Sequence, residues 1–184
     1  MLIFTTIELS AIKTIKAIDG YFQQFINLKI TIFMLNQPVP DFELPATSSL
    51  SFKPSDYIGK NLIIYFYPKD ATPGCTTEST QFRDHYHAFE TADAVIFGVS
   101  RDSLKSHENF KAKFSFPFDL ISDVDEIACN LFDVIKMKNM YGKQVRGIER
   151  STFFINKEGI LVKEWRKVKV DGHVEAVLAF AQSI

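Results

Sequence analysis

The chain has 184 residues, of which 46% are hydrophobic and 23% charged, and its formal net charge is −1 at pH 7. This composition predicts one soluble, core-forming domain of ordinary size. With 21 basic residues against 22 acidic ones, the chain lacks the basic surplus typical of nucleic-acid-binding proteins. Two cysteines are too few for a disulfide scaffold, so a reducing compartment, by default the cytoplasm, is expected.

The first 33 residues form an apolar, β-branched segment that differs from the rest of the chain. Its large apolar side chains recur at roughly helical spacing, which is typical of an amphipathic helix. Charged residues interrupt every window long enough to span a membrane, and a basic start typical of a secretory signal is missing. We therefore predict an N-terminal extension over residues 1–33, either an amphipathic helix or an upstream start of the reading frame, followed by a compact domain over residues 34–184.

The first half of that domain predicts a β-strand, a crossover helix and a second, parallel strand. Leu62–Tyr67 and Ala94–Val99 are continuous apolar runs of strand length, which is the pattern of strands buried on both faces of a sheet. The intervening stretch from Thr76 to Glu90 is polar and suits a helix. This order is a βαβ unit.

The second half predicts alternating helices and strands and a hairpin near the end. The expected elements are helices over 103–114, 124–132 and 173–182, a strand over 118–121, and hairpin strands over 152–155 and 160–165. Asn156-Lys157-Glu158-Gly159 supplies the residues that tolerate the turn between the hairpin strands. A mixed α/β sheet flanked by helices, as in a thioredoxin-like fold, accommodates this order.

Cys75 stands out because it follows the first buried strand closely and lies at the predicted start of a helix. It is part of the segment Pro68-Lys69-Asp70-Ala71-Thr72-Pro73-Gly74-Cys75-Thr76. The unpaired N–H groups of a helix N-terminus carry partial positive charge and stabilise a thiolate, which is the nucleophilic form of cysteine. Cys75 is therefore the predicted catalytic nucleophile.

Five stretches of the chain together resemble a known family. They are Tyr65–Asp70, Thr72–Glu78, Ile121–Asp123, and Tyr141–Lys143 followed by Gly147–Ile155. In these residues the chain is similar to peroxiredoxins of the bacterioferritin comigratory protein, or peroxiredoxin Q, type, over nearly all of residues 34–184. The resemblance implies a thioredoxin-like fold and a thiol peroxidase that reduces hydrogen peroxide and organic hydroperoxides, usually with electrons from thioredoxin. We expect no cofactor and no metal.

The matched positions also make chemical sense individually. Arg150 can hold both a thiolate and the peroxide oxygens, because a guanidinium stays charged and carries several donors in one plane. Thr72 can turn its hydroxyl towards the peroxide or the sulfur, and Pro68 and Pro73 can stiffen the loop and shield the sulfur. Glu78, one helical turn after the cysteine, is a candidate partner that holds Arg150 in place.

One departure from the family pattern concerns the second thiol of the reaction cycle. Many relatives have a resolving cysteine five residues after the first, where this chain has Thr80. The sulfenic acid of Cys75 would then react with Cys129 or with an external thiol of thioredoxin, glutaredoxin or glutathione. We expect an external thiol, because Cys129 lies in an apolar helical context that favours core packing.

Three other interpretations carry less weight. A thioredoxin-like disulfide oxidoreductase normally has a second cysteine three residues after the first, where this chain has Glu78. A non-enzymatic redox sensor or holdase would share the fold without turning over peroxide. His85 and His87 do not predict a metal site, because residues two apart on a helix point in different directions. We expect a monomer that binds neither nucleic acid nor membrane.

Overall fold

A computed structural model describes residues 35–140 and 143–184, and the side chains of residues 138–140 and 143 are not included in the description. The predicted N-terminal extension and the Tyr141-Gly142 pair therefore lie outside the described residues. Within them, the main element is a seven-stranded sheet, accompanied by a separate two-stranded hairpin. No helix in the described residues is long and apolar enough to cross a membrane.

The strands are short except at the centre of the sheet. Their bounds are β1 Leu44–Ala46, β2 Leu50–Phe52, β3 Asn61–Phe66, β4 Ala94–Ser100, β5 Asp119–Ser122, β6 Ile135–Met140, β7 Lys143–Ile148, β8 Ser151–Ile155 and β9 Leu161–Trp165. The order across the seven-stranded sheet is β2-β1-β5-β4-β3-β8-β9, and β6 and β7 form the hairpin. β4 is parallel to both β3 and β5, whereas β8 runs antiparallel to β3 and β9. The mixed sheet of a thioredoxin-like fold is thus confirmed.

The α-helices are α1 Pro73–Asp84, α2 Tyr86–Thr91, α3 Leu104–Phe114, α4 Ile127–Leu131 and α5 His173–Ala181, and a 3₁₀ helix spans Pro54–Tyr57. The prediction of a single helix over 76–90 is wrong in one respect, because the first helix ends at Asp84 and a second one begins at Tyr86. The helix expected over 124–132 is also shorter than predicted. Its first turn is replaced by a loop in which Asp123 accepts hydrogen bonds from the backbone N–H groups of Ile127 and Cys129.

The sheet separates two apolar cores, since successive residues of a strand point to opposite faces. On β3, Leu62, Ile64 and Phe66 face one core, and Ile63 and Tyr65 face the other. The first core also contains residues of α4, whereas the second contains residues of α1, α2, α3 and α5. Each face therefore has its own hydrophobic contribution to folding, and a side chain buried in one core is walled off from the other.

Candidate active site

Cys75 is the third residue of α1, directly after the loop that leaves the carboxyl end of β3. Pro73 occupies the first helical position, where its missing N–H costs nothing and its fixed φ suits a helix. The Cys75 residue is only 1% exposed. The sequence thus places a thiol at the positive end of a helix, as predicted, and the fold removes it almost completely from bulk water.

Arg150 lies immediately before β8, and sheet register brings it to the thiol. Its neighbour Ser151 pairs with Phe66 at the carboxyl end of β3, which is where the loop to α1 begins. From this position the Arg150 Nη2 atom donates a hydrogen bond to Cys75 Sγ at 3.3 Å. Two residues 75 positions apart in the chain are therefore joined by the antiparallel pairing of two strands.

Glu78 completes the contact on the other nitrogen of the guanidinium. It follows Cys75 by three residues and so lies on the same helix face, and Arg150 Nη1 donates a hydrogen bond to its Oε2. The Glu78 side chain is fully buried, and burial raises its pKa to about 7 even though the charge of Arg150 acts in the opposite direction. Burial alone would lower the pKa of Arg150, but the charges of Glu78 and Cys75 outweigh it and raise that pKa.

The other predicted loop residues lie where expected, but Thr72 behaves differently from the prediction. Its Oγ1 donates a hydrogen bond to the carbonyl oxygen of Lys69 at 3.0 Å, because the loop turns back on itself and brings that carbonyl within reach. The hydroxyl proton therefore does not point at the sulfur. Pro68 is half-buried at the start of the loop, and Pro73, the first residue of α1, is exposed.

The segment before α5 forms a wall beside the guanidinium. The backbone N–H of Val168 donates to the carbonyl oxygen of Arg150 at 3.0 Å. A Cβ atom placed on Gly74 would lie 3.4 Å from Arg150 Nη2 and 4.0 Å from a methyl group of Val170. The absence of a side chain at Gly74 therefore leaves space between the helix start, the guanidinium and this wall.

Cys129 lies in the other core, on the opposite face of the sheet from Cys75. It is fully buried, and burial, reinforced by the nearby charge of Asp123, raises the pKa of its thiol. Its backbone N–H donates to Asp123 Oδ2 at 2.7 Å. The structure thus does not bring the two cysteines together, and it places Cys129 in an environment that suppresses thiolate formation.

Sequence reasoning overlooked one residue of the loop. Asp70 lies in the loop between β3 and α1, and its buried side chain accepts hydrogen bonds from Tyr67 Oη and Ser106 Oγ. A carboxylate in the short loop between a buried strand and the helix that carries the cysteine is the sequence signal that could have drawn attention to it.

The fold and this site together define a class: a thioredoxin-like protein with an arginine-paired thiol at a helix N-terminus, the arrangement of a thiol-dependent oxidoreductase. Comparison with known proteins narrows the class. The AhpC/TSA family model matches residues 35–164. Peroxiredoxin Bcp of Xanthomonas campestris is 55% identical over 152 residues, covering 82% of this chain and 95% of that protein.

A second curated relative and a solved structure indicate the same family. Peroxiredoxin Bcp of Bacillus subtilis is 52% identical over 144 residues, covering 78% of this chain and 92% of that protein. A solved structure of the Xanthomonas campestris bacterioferritin comigratory protein, described for its alkyl peroxide reduction activity, has a TM-score of 0.74 and 54% identity over 77% of this chain and 90% of that chain. This chain belongs to the AhpC/TSA family, as a peroxiredoxin of the Bcp, or peroxiredoxin Q, type. It is accordingly a thiol-dependent peroxidase.

Proposed function

We propose that Cys75 is the sulfur that attacks the hydroperoxide and that an external thiol regenerates it. The observation that carries this proposal is the contact between Arg150 Nη2 and Cys75 Sγ. A guanidinium at hydrogen-bond distance and a helix N-terminus both stabilise negative charge on the sulfur, and together they favour the nucleophilic form. The proposed working domain is residues 34–184.

In the first step, the Cys75 thiolate attacks the terminal oxygen of the hydroperoxide and the O–O bond breaks. The sulfur gains that oxygen with its hydrogen and becomes a sulfenic acid, while the leaving alkoxide or hydroxide takes a proton and departs as alcohol or water. Negative charge therefore moves from the sulfur to the leaving oxygen. Donors fixed at that oxygen lower the barrier more than they stabilise the bound substrate.

Arg150 and the backbone N–H of Cys75 are the donors proposed for the developing charge. Glu78 accepts from one arm of the guanidinium, which leaves the arm at the sulfur aligned for the reacting oxygens. Thr72 serves as an acceptor in this scheme. Its hydroxyl proton is engaged by Lys69, so the Oγ1 lone pairs are available to the O–H of the incoming hydroperoxide. Pro68 and Pro73 contribute no N–H groups and limit water around the sulfur.

Regeneration follows a one-cysteine cycle in this proposal. An external thiol attacks the sulfenic sulfur, releases water and forms a mixed disulfide, and a second thiol then restores Cys75 and leaves as a disulfide. Thr80 occupies the position of the resolving cysteine found in many relatives. Cys129 is separated from Cys75 by the sheet, which supports thioredoxin, glutaredoxin or glutathione as the donor of the thiol.

Organic hydroperoxides join hydrogen peroxide as proposed substrates. The alkyl peroxide reduction described for the Xanthomonas relative supports this range, and the space above Gly74 is bounded by the apolar side chain of Val170. We further propose a cytoplasmic monomer, in keeping with the two unpaired cysteines.

Substitution of each cysteine tests the cycle. Cys75→Ser is expected to abolish peroxide consumption with a thiol reductant, whereas Cys129→Ser keeps most of it. After one equivalent of peroxide, intact-mass analysis of the wild-type protein should show one added oxygen, or an adduct with the external thiol. Loss of two hydrogens with no free thiol remaining would show instead that Cys129 resolves the sulfenic acid. A protein that forms the oxidised species without turnover would match the redox-sensor alternative.

A further inference from the structure

A buried polar cluster connects the loop before Cys75 to helix α3 and to strand β5. Its centre is Asp70, whose Oδ1 accepts from Tyr67 Oη at 2.8 Å and whose Oδ2 accepts from Ser106 Oγ at 2.7 Å. His107 Nδ1 lies 3.0 Å from Oδ1 and 2.9 Å from Oδ2 of the same carboxylate. We call these four residues the Asp70 cluster. Tyr67 lies at the start of the same loop as Asp70, whereas Ser106 and His107 belong to α3.

The two nitrogens of His107 face acceptors on opposite sides. Nδ1 contacts the Asp70 carboxylate, and Nε2 lies 3.2 Å from the carbonyl oxygen of Ile121 on β5. A carbonyl oxygen can only accept, so Nε2 is a donor, and the imidazole ring is fixed between the loop and the sheet. His107 is fully buried. The ring therefore connects the loop to β5 and has little freedom to rotate.

The backbone of the loop is held at the same place. The N–H of Asp70 donates to Asp102 Oδ2 at 2.9 Å, and that oxygen also accepts from Ser100 Oγ at 2.7 Å. The next residue, Ala71, has φ of 55°, a left-handed conformation that is unfavourable in a residue other than glycine. A conformation of this kind persists only where its surroundings enforce it, and here the Asp70 cluster and Asp102 do so.

We propose that Asp70 and His107 are positioning residues for the peroxidase reaction. They touch neither the sulfur nor Arg150, but they fix the turn from which Thr72 and the first turn of α1 depart. Reaction with a hydroperoxide needs the sulfur, the guanidinium and the threonine hydroxyl in one arrangement, and a misplacement of about 1 Å can cost about a hundredfold in rate. The proposal rests on the role of Cys75 proposed above.

The test compares two reactions of the same sulfur in His107→Leu. Reaction with hydrogen peroxide depends on the exact arrangement of the site, whereas alkylation by iodoacetamide depends mainly on thiolate and access. Both rate constants are measured at a temperature where circular dichroism shows the variant to be folded. We expect the peroxide rate constant to fall about tenfold or more and the alkylation rate constant to stay the same or rise, because a loosened loop exposes a sulfur that is now 1% exposed.

Conservative and remote variants complete the design. His107→Asn keeps an N–H donor near the position of Nδ1 and should recover most of the peroxide rate. Asp119→Asn disturbs the ion pair with Lys111, which also joins α3 to the sheet but lies away from the loop, and should leave both rate constants unchanged. If His107→Leu does not fold, Tyr67→Phe and Ser106→Ala each remove one donor to Asp70 and should each lower the peroxide rate alone.

The outcomes separate the two proposals. An unchanged peroxide rate in folded His107→Leu, or in both Tyr67→Phe and Ser106→Ala, overturns the positioning role. Equal losses in peroxide and alkylation rates also overturn it, because they would indicate an effect on thiolate formation alone. Failure of the wild-type Cys75 to react with peroxide, while it still alkylates, would instead overturn the role of Cys75 itself.

Discussion

At the scale of single residues, Arg150 makes two contacts from two different nitrogens. One nitrogen donates to Cys75 Sγ and another to the buried Glu78. A planar guanidinium has separate donors at fixed angles for such a task, whereas the three donors of a lysine ammonium share one nitrogen and rotate on a flexible stem. The positive charge alone therefore does not account for the proposed role of Arg150, because the geometry of the guanidinium determines where a peroxide oxygen can be held.

Arg150→Lys is expected to lower the second-order rate constant with hydrogen peroxide by about a hundredfold, which is the usual loss when one donor to a developing negative charge is removed. Stopped-flow fluorescence of the single tryptophan, Trp165, would measure it. Arg83→Lys is the matched control, since Arg83 is on the same helix but contacts Asp84 and the Phe114 carbonyl. A rate within about threefold of wild type in Arg150→Lys would contradict the role of the fork geometry.

At the scale of secondary-structure elements, α1 is held against the sheet by Tyr65 of β3. The Tyr65 ring stacks on Phe82 with centroids 4.6 Å apart, and its hydroxyl lies 2.9 Å from Ser79 Oγ. Gly98 on β4 makes room for this ring, since a Cβ atom there would lie 2.6 Å from the Tyr65 hydroxyl oxygen. The position of the helix that carries Cys75 thus depends on a missing side chain on β4, the strand next to β3.

Gly98→Ala is expected to destabilise the protein by about 1–3 kcal/mol, the usual cost of forcing an extra carbon into a packed core, and to lower the peroxide rate constant through the displaced helix. Urea unfolding and peroxide kinetics would be measured side by side. Gly147→Ala on β7 is the control, because a Cβ atom there has no neighbour within 4 Å. Equal midpoints for wild type and Gly98→Ala would show that the ring moves freely and the helix does not depend on it.

At the scale of the whole molecule, two buried groups near the site make the stability depend on pH in opposite directions. Burial raises the pKa of Glu78 from 4.5 to about 7. Burial, aided by the charge of Arg150, lowers the pKa of His173 from 6.5 to about 4. The stabilising contribution of Glu78 is complete below pH 4.5 and declines as the pH rises to about 7. That of His173 is complete above pH 6.5 and declines as the pH falls to about 4.

The free energy of unfolding falls with pH because of Glu78 and rises with pH because of His173, and the two slopes oppose each other between pH 4.5 and 6.5. Substituting one residue at a time should therefore reveal the slope of the other. The free energy of unfolding of Glu78→Gln is expected to rise with pH across this window, by up to about 1.4 kcal/mol per pH unit. That of His173→Asn is expected to fall with pH by a similar amount, and the wild type should be nearly flat. Urea unfolding at four pH values measures all three. Parallel curves for the three proteins would contradict the assignment.

Much of this architecture could be predicted from the sequence, because the central strands and the terminal hairpin carry strong local signals. The continuous apolar run at Leu62–Tyr67 and the turn at Asn156–Gly159 are examples. The strands β1 and β2 at one side of the sheet were missed, since each has only three residues and β1 contains Pro45. Hairpin β6-β7 was missed because the alternation of apolar and polar residues in Ile135-Lys136-Met137-Lys138 is short and β7 contains only two apolar side chains, Val145 and Ile148.

The site was predictable to the extent that its residues lie close in sequence or match a family motif. Cys75 and Glu78 are one helical turn apart, and the motif brought in Arg150. The contact of Asp70 with His107 could not be foreseen, because 37 residues separate them and only the packing of α3 against the sheet brings them together. The separation of Cys75 from Cys129 was equally hidden, since it depends on which face of the sheet each helix covers.

The placement of the two sulfurs on opposite faces of the sheet has a consequence for oxidative damage. In the proposed one-cysteine cycle no internal disulfide closes, so the protein has no resting oxidised form in which the sulfenic acid is safe from more oxidant. The lifetime of the sulfenic acid is then set by encounters with thiols in solution, and a second hydroperoxide molecule competes with those thiols for the Cys75 sulfur. We therefore expect irreversible sulfinic acid, detectable as two added oxygens, to accumulate as the ratio of peroxide to thiol rises, and to vanish when thiol is abundant.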